Sequence, residues 1–330
     1  MTPGTNVPLL QVAHLSMNFP LYGGILRRQT GRVHAVEDVS LTVAAGKTLG
    51  LVGESGCGKT TVGRCITRLY KPTAGEVIFE GVDLLKADPR HLRRCRRDLQ
   101  MIFQDPFESL NARQTVEEIL MEPFAIHRVG SPKERRDRVR ELLSQVGLSP
   151  DAALRYPHEF SGGQRQRIGI ARAIALRPKL IICDEPVSAL DVSIQSQILN
   201  LLVSLQDAMG LGFLFIAHDL AVVNHVSDVI AVMYLGRIVE MADAQTLYAH
   251  PLHPYTQALI AAIPEPSPKK PSGRFAVLPG EVPSPIHPPD GCHFHQRCSR
   301  AKARCREESP PLVTVTENKN SPHQVACFFI

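Results

Sequence analysis

The fold is decided by the stretch Gly53-Glu54-Ser55-Gly56-Cys57-Gly58-Lys59-Thr60, in which two glycines enclose four residues and a lysine and a threonine follow. An apolar run at 48–52 precedes this stretch and a helix-compatible segment follows it, which is the strand–turn–helix setting of a phosphate-binding loop. In such a loop, backbone N–H groups and the positive end of the helix dipole face phosphate oxygens. A chance match is the alternative, but the setting favours nucleotide binding.

The side chains that close this loop have distinct expected roles. Lys59 places a positive charge on the β- and γ-phosphates, and the Thr60 hydroxyl binds the Mg²⁺ that bridges them. Further nucleotide contacts are expected from Gly53, Ser55, Gly56, Cys57, Gly58 and Thr61.

A second apolar strand ends in two acids, in the run Leu180-Ile181-Ile182-Cys183-Asp184-Glu185. This is the second element expected of a phosphate-loop ATPase. We expect Asp184 to hold Mg²⁺ and Glu185 to take a proton from the attacking water as general base. Paired acids after a strand otherwise belong to a helix cap or a solvated turn.

The remaining pattern predicts an α/β protein. Short apolar runs at 48–52, 180–183, 213–217 and 229–233 are typical of buried strands, and helix-length segments at 161–176 and 192–209 lie between them. This alternation predicts a mainly parallel sheet covered by helices. Glycine-punctuated residues 75–82 predict an antiparallel β subdomain, and residues of about 105–161, with helical apolar spacing at 133–146, predict a helical subdomain.

Four further motifs occur in and around this framework. They are Gln104 in Phe103-Gln104-Asp105-Pro106, the run Ser161-Gly162-Gly163-Gln164-Arg165-Gln166-Arg167, the loop Ser188-Ala189-Leu190-Asp191, and His218 in Ile216-Ala217-His218-Asp219. With the phosphate loop and the paired acids, they resemble the ATP-binding cassette (ABC) ATPases in both wording and order.

That resemblance implies roles for residues whose types alone would indicate little. In the family, two chains pack head to tail, so Ser161, Gly162, Gly163 and Gln164 of one chain cap the γ-phosphate bound by the other. Gln104 then contacts Mg²⁺ or the lytic water, His218 positions the γ-phosphate or water, and Asp191 joins the nucleotide contacts. Without the family, Ser161 is equally typical of a helix N-cap, and His218 of a polar residue at a strand end.

Phe19 is the candidate for stacking on adenine, because it precedes the first sheet residues as the family's aromatic residue does. The segment at 22–31 blurs this assignment, so Tyr22 remains an alternative. Core packing of Phe19 is a third interpretation.

The resemblance narrows further in two later stretches, Pro251-Leu252-His253-Pro254-Tyr255-Thr256-Gln257-Ala258-Leu259 and Gly291-Cys292-His293-Phe294-His295-Gln296-Arg297-Cys298. Both are similar to the ATPase subunits of dipeptide and oligopeptide permeases. The resemblance implies a peptide importer with two integral membrane subunits, a second and different ATPase and an external solute-binding protein. The chain would lie at the cytoplasmic face of the inner membrane. Nickel importers share these features, and a soluble ABC ATPase acting on DNA or the ribosome is a further alternative.

Nine prolines between Pro264 and Pro289 predict a linker, which divides the chain into a cassette at 1–263 and a C-terminal region at 264–330. That region contains Cys292, Cys298, Cys305 and Cys327, whose spacing differs from that of a zinc ribbon. Four thiolates suit a [4Fe–4S] cluster, which the peptide-permease ATPases are similar in carrying. Zinc and the absence of any metal remain alternatives.

The bulk composition is compatible with this interpretation. A net charge of +5 over 330 residues is too small to indicate a nucleic-acid partner. No apolar run approaches the ~18 residues that a membrane-spanning helix needs. The first residues lack the pattern of a secretory signal, so we expect a cytoplasmic chain with reduced thiols.

Overall fold

The computed structural model describes residues 8–24, 28–105, 109–263, 280–315 and 322–330. The strands in this part of the chain are β1 (Leu10–Gly23), β2 (Arg28–Val43), β3 (Thr48–Val52), β4 (Ala74–Phe79), β5 (Val82–Asp83), β6 (Leu99–Ile102), β7 (Leu180–Asp184), β8 (Gly212–Ala217), β9 (Val229–Tyr234), β10 (Arg237–Asp243), β11 (Val313–Thr314) and β12 (Gln324–Val325). The expected strands at 48–52, 180–183, 213–217 and 229–233 are confirmed as β3, β7, β8 and β9.

The α-helices are α1 (Lys59–Ile66), α2 (Pro89–Asp98), α3 (Val116–His127), α4 (Pro132–Gln145), α5 (Gly162–Ile174), α6 (Val192–Met209), α7 (Leu220–Val226), α8 (Ala244–Ala249), α9 (Pro254–Ala261) and α10 (Ala303–Glu307). Helix α6 has the predicted bounds, and α5 begins one residue after Ser161. No helix among the described residues is long and apolar enough to cross a membrane.

The chain divides into two compact units. The first unit comprises the described residues within 1–9, 43–47 and 79–216, and the second those within 10–42, 48–78 and 217–330. The expected linker residues 264–279 lie outside the described residues.

Three parallel strands form the sheet of the first unit. Strand β7 pairs with β6 on one side and β8 on the other, with Cys183 opposite Ile102 and Asp184 opposite Ile216. Every residue of β7 and β8 is buried. Strands that are apolar along their whole length are buried on both faces, which is why these runs were readable as a parallel sheet.

Helices α3 and α4 of the first unit lie within the expected helical subdomain. A capping box begins each helix: Thr115 and Glu118 exchange hydrogen bonds at α3, and Ser131 and Glu134 do so at α4. Helix α4 buries Val139 together with two leucines and packs against α3 and α5. The apolar spacing at 133–146 therefore predicted a real helix face.

The second unit combines parallel and antiparallel pairing. Strand β9 is parallel to β3 and antiparallel to β10, which pairs in turn with β12, and β12 with β11. A separate sheet places β1 between β2 and β4. This mixture confirms the α/β class.

A buried ion pair anchors the end of the chain within the second unit. The Glu240 carboxylate is fully buried and lies 2.7 Å from Nε2 of His323. The same carboxylate accepts backbone hydrogen bonds from Leu252 and His253. Because its oxygens have hydrogen-bond partners, the buried carboxylate is tolerated at this position.

Candidate nucleotide site

The phosphate loop lies between β3 and α1, in the second unit. Helix α1 begins at Lys59, whose side chain is buried and donates hydrogen bonds to the backbone carbonyls of Gly53 and Glu54 at 2.8 and 3.0 Å. Gly58 has a φ of 106° and lies so close to Ala35 that a Cβ here would be 2.1 Å from the carbonyl oxygen of that residue. Only glycine fits this turn, which brings the loop backbone back over the start of α1.

The other predicted loop residues differ in exposure. Ser55 and Gly56 are exposed at the tip, and Thr60 and Thr61 are half-buried in the first turn of α1. The Cys57 side chain is buried, and this burial raises the pKa of the thiol. Cys57 can therefore contribute its backbone N–H to a phosphate while its neutral side chain packs inward.

Two side chains that the sequence did not single out hold Glu54 within this loop. The Tyr255 hydroxyl accepts a hydrogen bond from the Glu54 N–H at 2.9 Å. The Arg297 guanidinium donates two hydrogen bonds to the Glu54 carboxylate at 2.7 and 3.1 Å. Both residues lie in stretches quoted for their family resemblance, but no periodicity in the sequence indicates that they reach the loop.

In the first unit, Gln104 and Glu185 meet at the sheet edge. Gln104 donates from Nε2 to Oε2 of Glu185 at 2.9 Å. Each residue comes two positions after a member of the register pair Ile102 and Cys183, so the parallel register brings the two together. Asp184, the last residue of β7, is 1% exposed.

The backbone at Glu185 is unusual. Its φ is 45°, in the left-handed region that non-glycine residues rarely adopt. The Glu185 N–H donates to the carbonyl of Ile216, and its carbonyl accepts the Ser188 hydroxyl. Strain of about 1–3 kcal/mol at such a position persists only where surrounding contacts fix it, and it is concentrated at functional sites.

Ser161 caps helix α5 in this structure. Its hydroxyl accepts from the Gln164 N–H at 3.4 Å, and the Gln164 side chain accepts from the Ser161 N–H at 3.1 Å. Ser161 and Gln164 are exposed, whereas a Cβ at Gly163 would be 2.5 Å from the Ile194 side chain. The exposed helix start can present N–H groups to an anion from outside the chain.

The other predicted contacts are dispersed. Asp191 precedes α6, is exposed and makes no side-chain capping hydrogen bond to this helix. His218 directly follows β8 and is exposed. Phe19 packs edge-on against Tyr70 with ring centroids 5.3 Å apart, and Tyr22 is 64% exposed.

The four late cysteines line one cavity of about 20 Å³ in the second unit. Burial raises the pKa of the Cys292 thiol to about 11. Among the described residues, no group of three or more His, Cys, Asp or Glu side chains is arranged to hold a metal ion. This finding does not support the expected iron–sulfur cluster, or zinc.

The strand–loop–helix element and the acid-ended strand define a phosphate-loop ATPase of the cassette type. The family model of the ABC transporter matches residues 36–188, and that of the oligopeptide/dipeptide transporter C-terminal region matches residues 239–305. An oligopeptide transport ATP-binding protein of Bacillus subtilis, AppF, is 50% identical over 99% of each chain. A probable peptide ABC transporter ATP-binding protein of Sinorhizobium fredii is 53% identical over 97% of this chain and 89% of its own.

This chain belongs to the ABC transporter ATP-binding family, in the branch that carries the oligopeptide/dipeptide C-terminal region. The solved dimer of the cassette MJ0796 in a post-hydrolysis state, bound to ADP and Pi, has a TM-score of 0.64 and 28% identity. It covers 71% of this chain and 98% of the solved chain. The expected pairing with a different ATPase is not confirmed by these comparisons.

Proposed function

We propose that this chain is the ATP-hydrolysing subunit of an ABC importer for dipeptides or oligopeptides. The observation that carries the proposal is the Gln104–Glu185 hydrogen bond at the end of two parallel strands, in a chain that also has a complete phosphate loop. Relatives at about 50% identity named for peptide transport support the cargo class.

In the proposed reaction, Lys59 moves its ammonium from the loop carbonyls to the β- and γ-phosphates. Thr60, Asp184 and Gln104 would hold Mg²⁺, which neutralises phosphate charge when bound. Glu185 accepts the proton of the attacking water, and the hydrogen bond from Gln104 orients its carboxylate. His218 positions the water or the γ-phosphate, and Phe19 stacks on adenine.

The proposed coupling to transport is a nucleotide shared between two ATPases. The start of α5, with Ser161, Gly162 and Gly163, caps the γ-phosphate bound by the partner, and Asp191 contributes at the same interface. A ligand that binds only the closed dimer shifts the open–closed equilibrium by its differential affinity. Hydrolysis removes that ligand and reopens the dimer.

The assembly follows from this scheme. We place the chain peripherally at the cytoplasmic face of the membrane, on two integral permease subunits served by an external solute-binding protein. The partner ATPase is a different chain in this proposal, and the cassette at 1–263 is followed by a separate region at 264–330.

We further propose that Cys292, Cys298, Cys305 and Cys327 bind a [4Fe–4S] cluster. The four cysteines are far apart in sequence, yet they line a single cavity. Four thiolates are the usual donors of such a cluster, which would cross-link a region too small to bury much core. The raised pKa of Cys292 means that binding must release its proton.

The test of function is uptake by the reconstituted complex. The chain is co-purified with the neighbouring permease subunits and partner ATPase, placed in vesicles and supplied with the binding protein. ATP-dependent uptake of labelled peptide that outcompetes nickel uptake supports the proposal. Nickel uptake alone would assign a different cargo, and ATPase activity without any membrane partner would favour a soluble ABC ATPase.

A further inference from the structure

One ion pair connects the segment between Cys292 and Cys298 to the phosphate loop. Arg297 donates from Nη1 to Oε2 of Glu54 at 2.7 Å and from Nη2 to Oε1 at 3.1 Å. The arginine side chain is 6% exposed and the glutamate side chain 27%. A bidentate guanidinium fixes the orientation of a carboxylate as well as its position, and burial of the arginine limits screening by solvent.

The carboxylate that Arg297 holds belongs to the residue whose backbone anchors the loop lysine. The Glu54 carbonyl accepts from Lys59 Nζ at 3.0 Å, and the Glu54 N–H donates to the Tyr255 hydroxyl at 2.9 Å. Glu54 is therefore fixed through its side chain, its N–H and its carbonyl. A shift of this residue would move the two carbonyls between which Lys59 is held.

A buried aromatic cluster holds Arg297 in place. The guanidinium carbon lies 5.9 Å from the Tyr234 ring centroid, and Tyr234 and Tyr255 meet edge-on at 4.8 Å. Phe294 packs against both tyrosines at 5.2 and 5.4 Å. All three rings are at most 2% exposed. Arg297 thus approaches the loop from a rigid base, which lowers the entropy lost in forming the ion pair.

The charge of Glu54 explains why this support matters. A carboxylate in a loop that binds a triphosphate repels its ligand unless a cation offsets the negative charge. We infer that Arg297 is a positioning residue for ATP binding: by neutralising and fixing Glu54 it keeps the phosphate loop receptive to a polyanion, so the C-terminal region is part of the nucleotide site. This inference rests on the proposed function, since it assumes that the loop binds ATP.

Arg297 makes no contact with reacting atoms in this account, so its loss acts on affinity. We expect Arg297→Met to raise the ATP dissociation constant and KM about tenfold, or about 1.4 kcal/mol, with kcat within about twofold. Arg297→Lys, which keeps the charge but loses the fork, should be intermediate. Arg297→Met combined with Glu54→Gln should recover most of the affinity, because the uncompensated charge is then absent.

The experiment measures binding of a fluorescent ATP analogue, KM, kcat and thermal stability in the full chain. The matched control is Arg304→Met, which removes a C-terminal arginine from an exposed pair with Glu308. Tenfold weaker binding for Arg297→Met, recovery in the double variant and an unchanged control support the inference. Where Arg297→Met does not fold, Arg297→Lys and Glu54→Gln carry the test.

Three results would overturn the inference. These are wild-type affinity in soluble Arg297→Met, equal loss in the double variant, and a loss of thermal stability alone. In the fallback set, Glu54→Gln binding ATP tenfold more weakly, or Arg297→Lys binding it as the wild type does, has the same meaning. A wild-type chain that binds no ATP would instead contradict the proposed function.

Discussion

The Gln104 side chain donates a hydrogen bond to the Glu185 carboxylate, with Nε2 and Oε2 2.9 Å apart across 81 residues of sequence. The register of two parallel strands creates this contact, because both residues follow the paired ends of β6 and β7 by the same distance. A carboxylate held at one oxygen presents the other in a defined direction. That is the arrangement expected of a general base.

Glu185→Gln should abolish most hydrolysis while leaving ATP binding intact. The amide keeps the shape of the carboxylate and loses its basicity, so we expect a fall in kcat of about 10² to 10⁴, or roughly 3 to 5 kcal/mol of barrier. Phosphate release gives the rate and a fluorescent analogue gives the affinity. Turnover at the wild-type rate would remove Glu185 from the mechanism.

Gln104→Ala should lower kcat by about tenfold, less than the loss of the base itself, because the carboxylate keeps its charge but loses its orientation. Combining it with Glu185→Gln should add little, since residues that act as a unit are not additive. The four rates form a double-mutant cycle. Fully additive effects would mean that the hydrogen bond has no part in catalysis.

Gly58→Ala should disrupt the phosphate loop, because its Cβ would meet the Ala35 carbonyl at 2.1 Å and its φ is 106°. The matched control is Gly56→Ala, where φ is 79° and no described atom outside the neighbouring residues lies within 4 Å. The control should cost only the backbone strain, about 1 kcal/mol. Thermal unfolding compares the two. Equal melting temperatures would contradict the close approach at Gly58.

Stability should fall in acid partly because of His253. Burial lowers the pKa of this imidazole to about 3, so the folded protein keeps it neutral while the unfolded chain binds a proton below about pH 6.5. Its contribution is therefore complete above about pH 6.5 and is lost towards pH 3, at up to about 1.4 kcal/mol per pH unit.

The matched variant is His253→Asn, which can still accept the Tyr255 N–H as an N-cap residue. Urea unfolding between pH 7.5 and 4.5 should show a shallower pH dependence for the variant than for the wild type. Parallel curves would mean that His253 is already protonated in the folded protein.

Cluster loading provides a separate prediction for the C-terminal region. Protein purified without oxygen should be brown and contain acid-labile sulfide. Cys298→Ser should lose both, because it removes one of four thiols around the shared cavity. Cys95→Ser, at a cysteine remote in sequence from these four, is the control. Colourless wild-type protein without sulfide would end the cluster proposal.

Much of the fold was readable because its sheet is buried on both faces. Strands β3, β7, β8 and β9 are short apolar runs with polar ends, and α6 is bounded by Asp191 and Gly210. Helix α3 was not assigned, since Pro123 interrupts its apolar pattern. Its capping box, Thr115 with Glu118, was nevertheless visible in the sequence. Strand β6 has only four residues, too few for periodicity to reveal.

The catalytic candidates were readable from motifs, but the support of the phosphate loop was not. Arg297 and Tyr255 lie 243 and 201 residues away from Glu54 in sequence. Contacts at such separations depend on the whole chain path, and a single sequence contains no signal for them. Ser161 shows the same limit in reverse, because a helix cap and a phosphate ligand have identical sequence patterns.

The account depends most directly on where Ser161 lies when nucleotide is bound. A structure of the assembled transporter with Glu185→Gln, ATP and Mg²⁺ measures this. We predict that the Ser161 hydroxyl will lie within about 3.2 Å of a γ-phosphate oxygen of the ATP bound in the partner ATPase's phosphate loop. A closed, ATP-loaded complex with Ser161 remote from any triphosphate would contradict the shared-nucleotide mechanism.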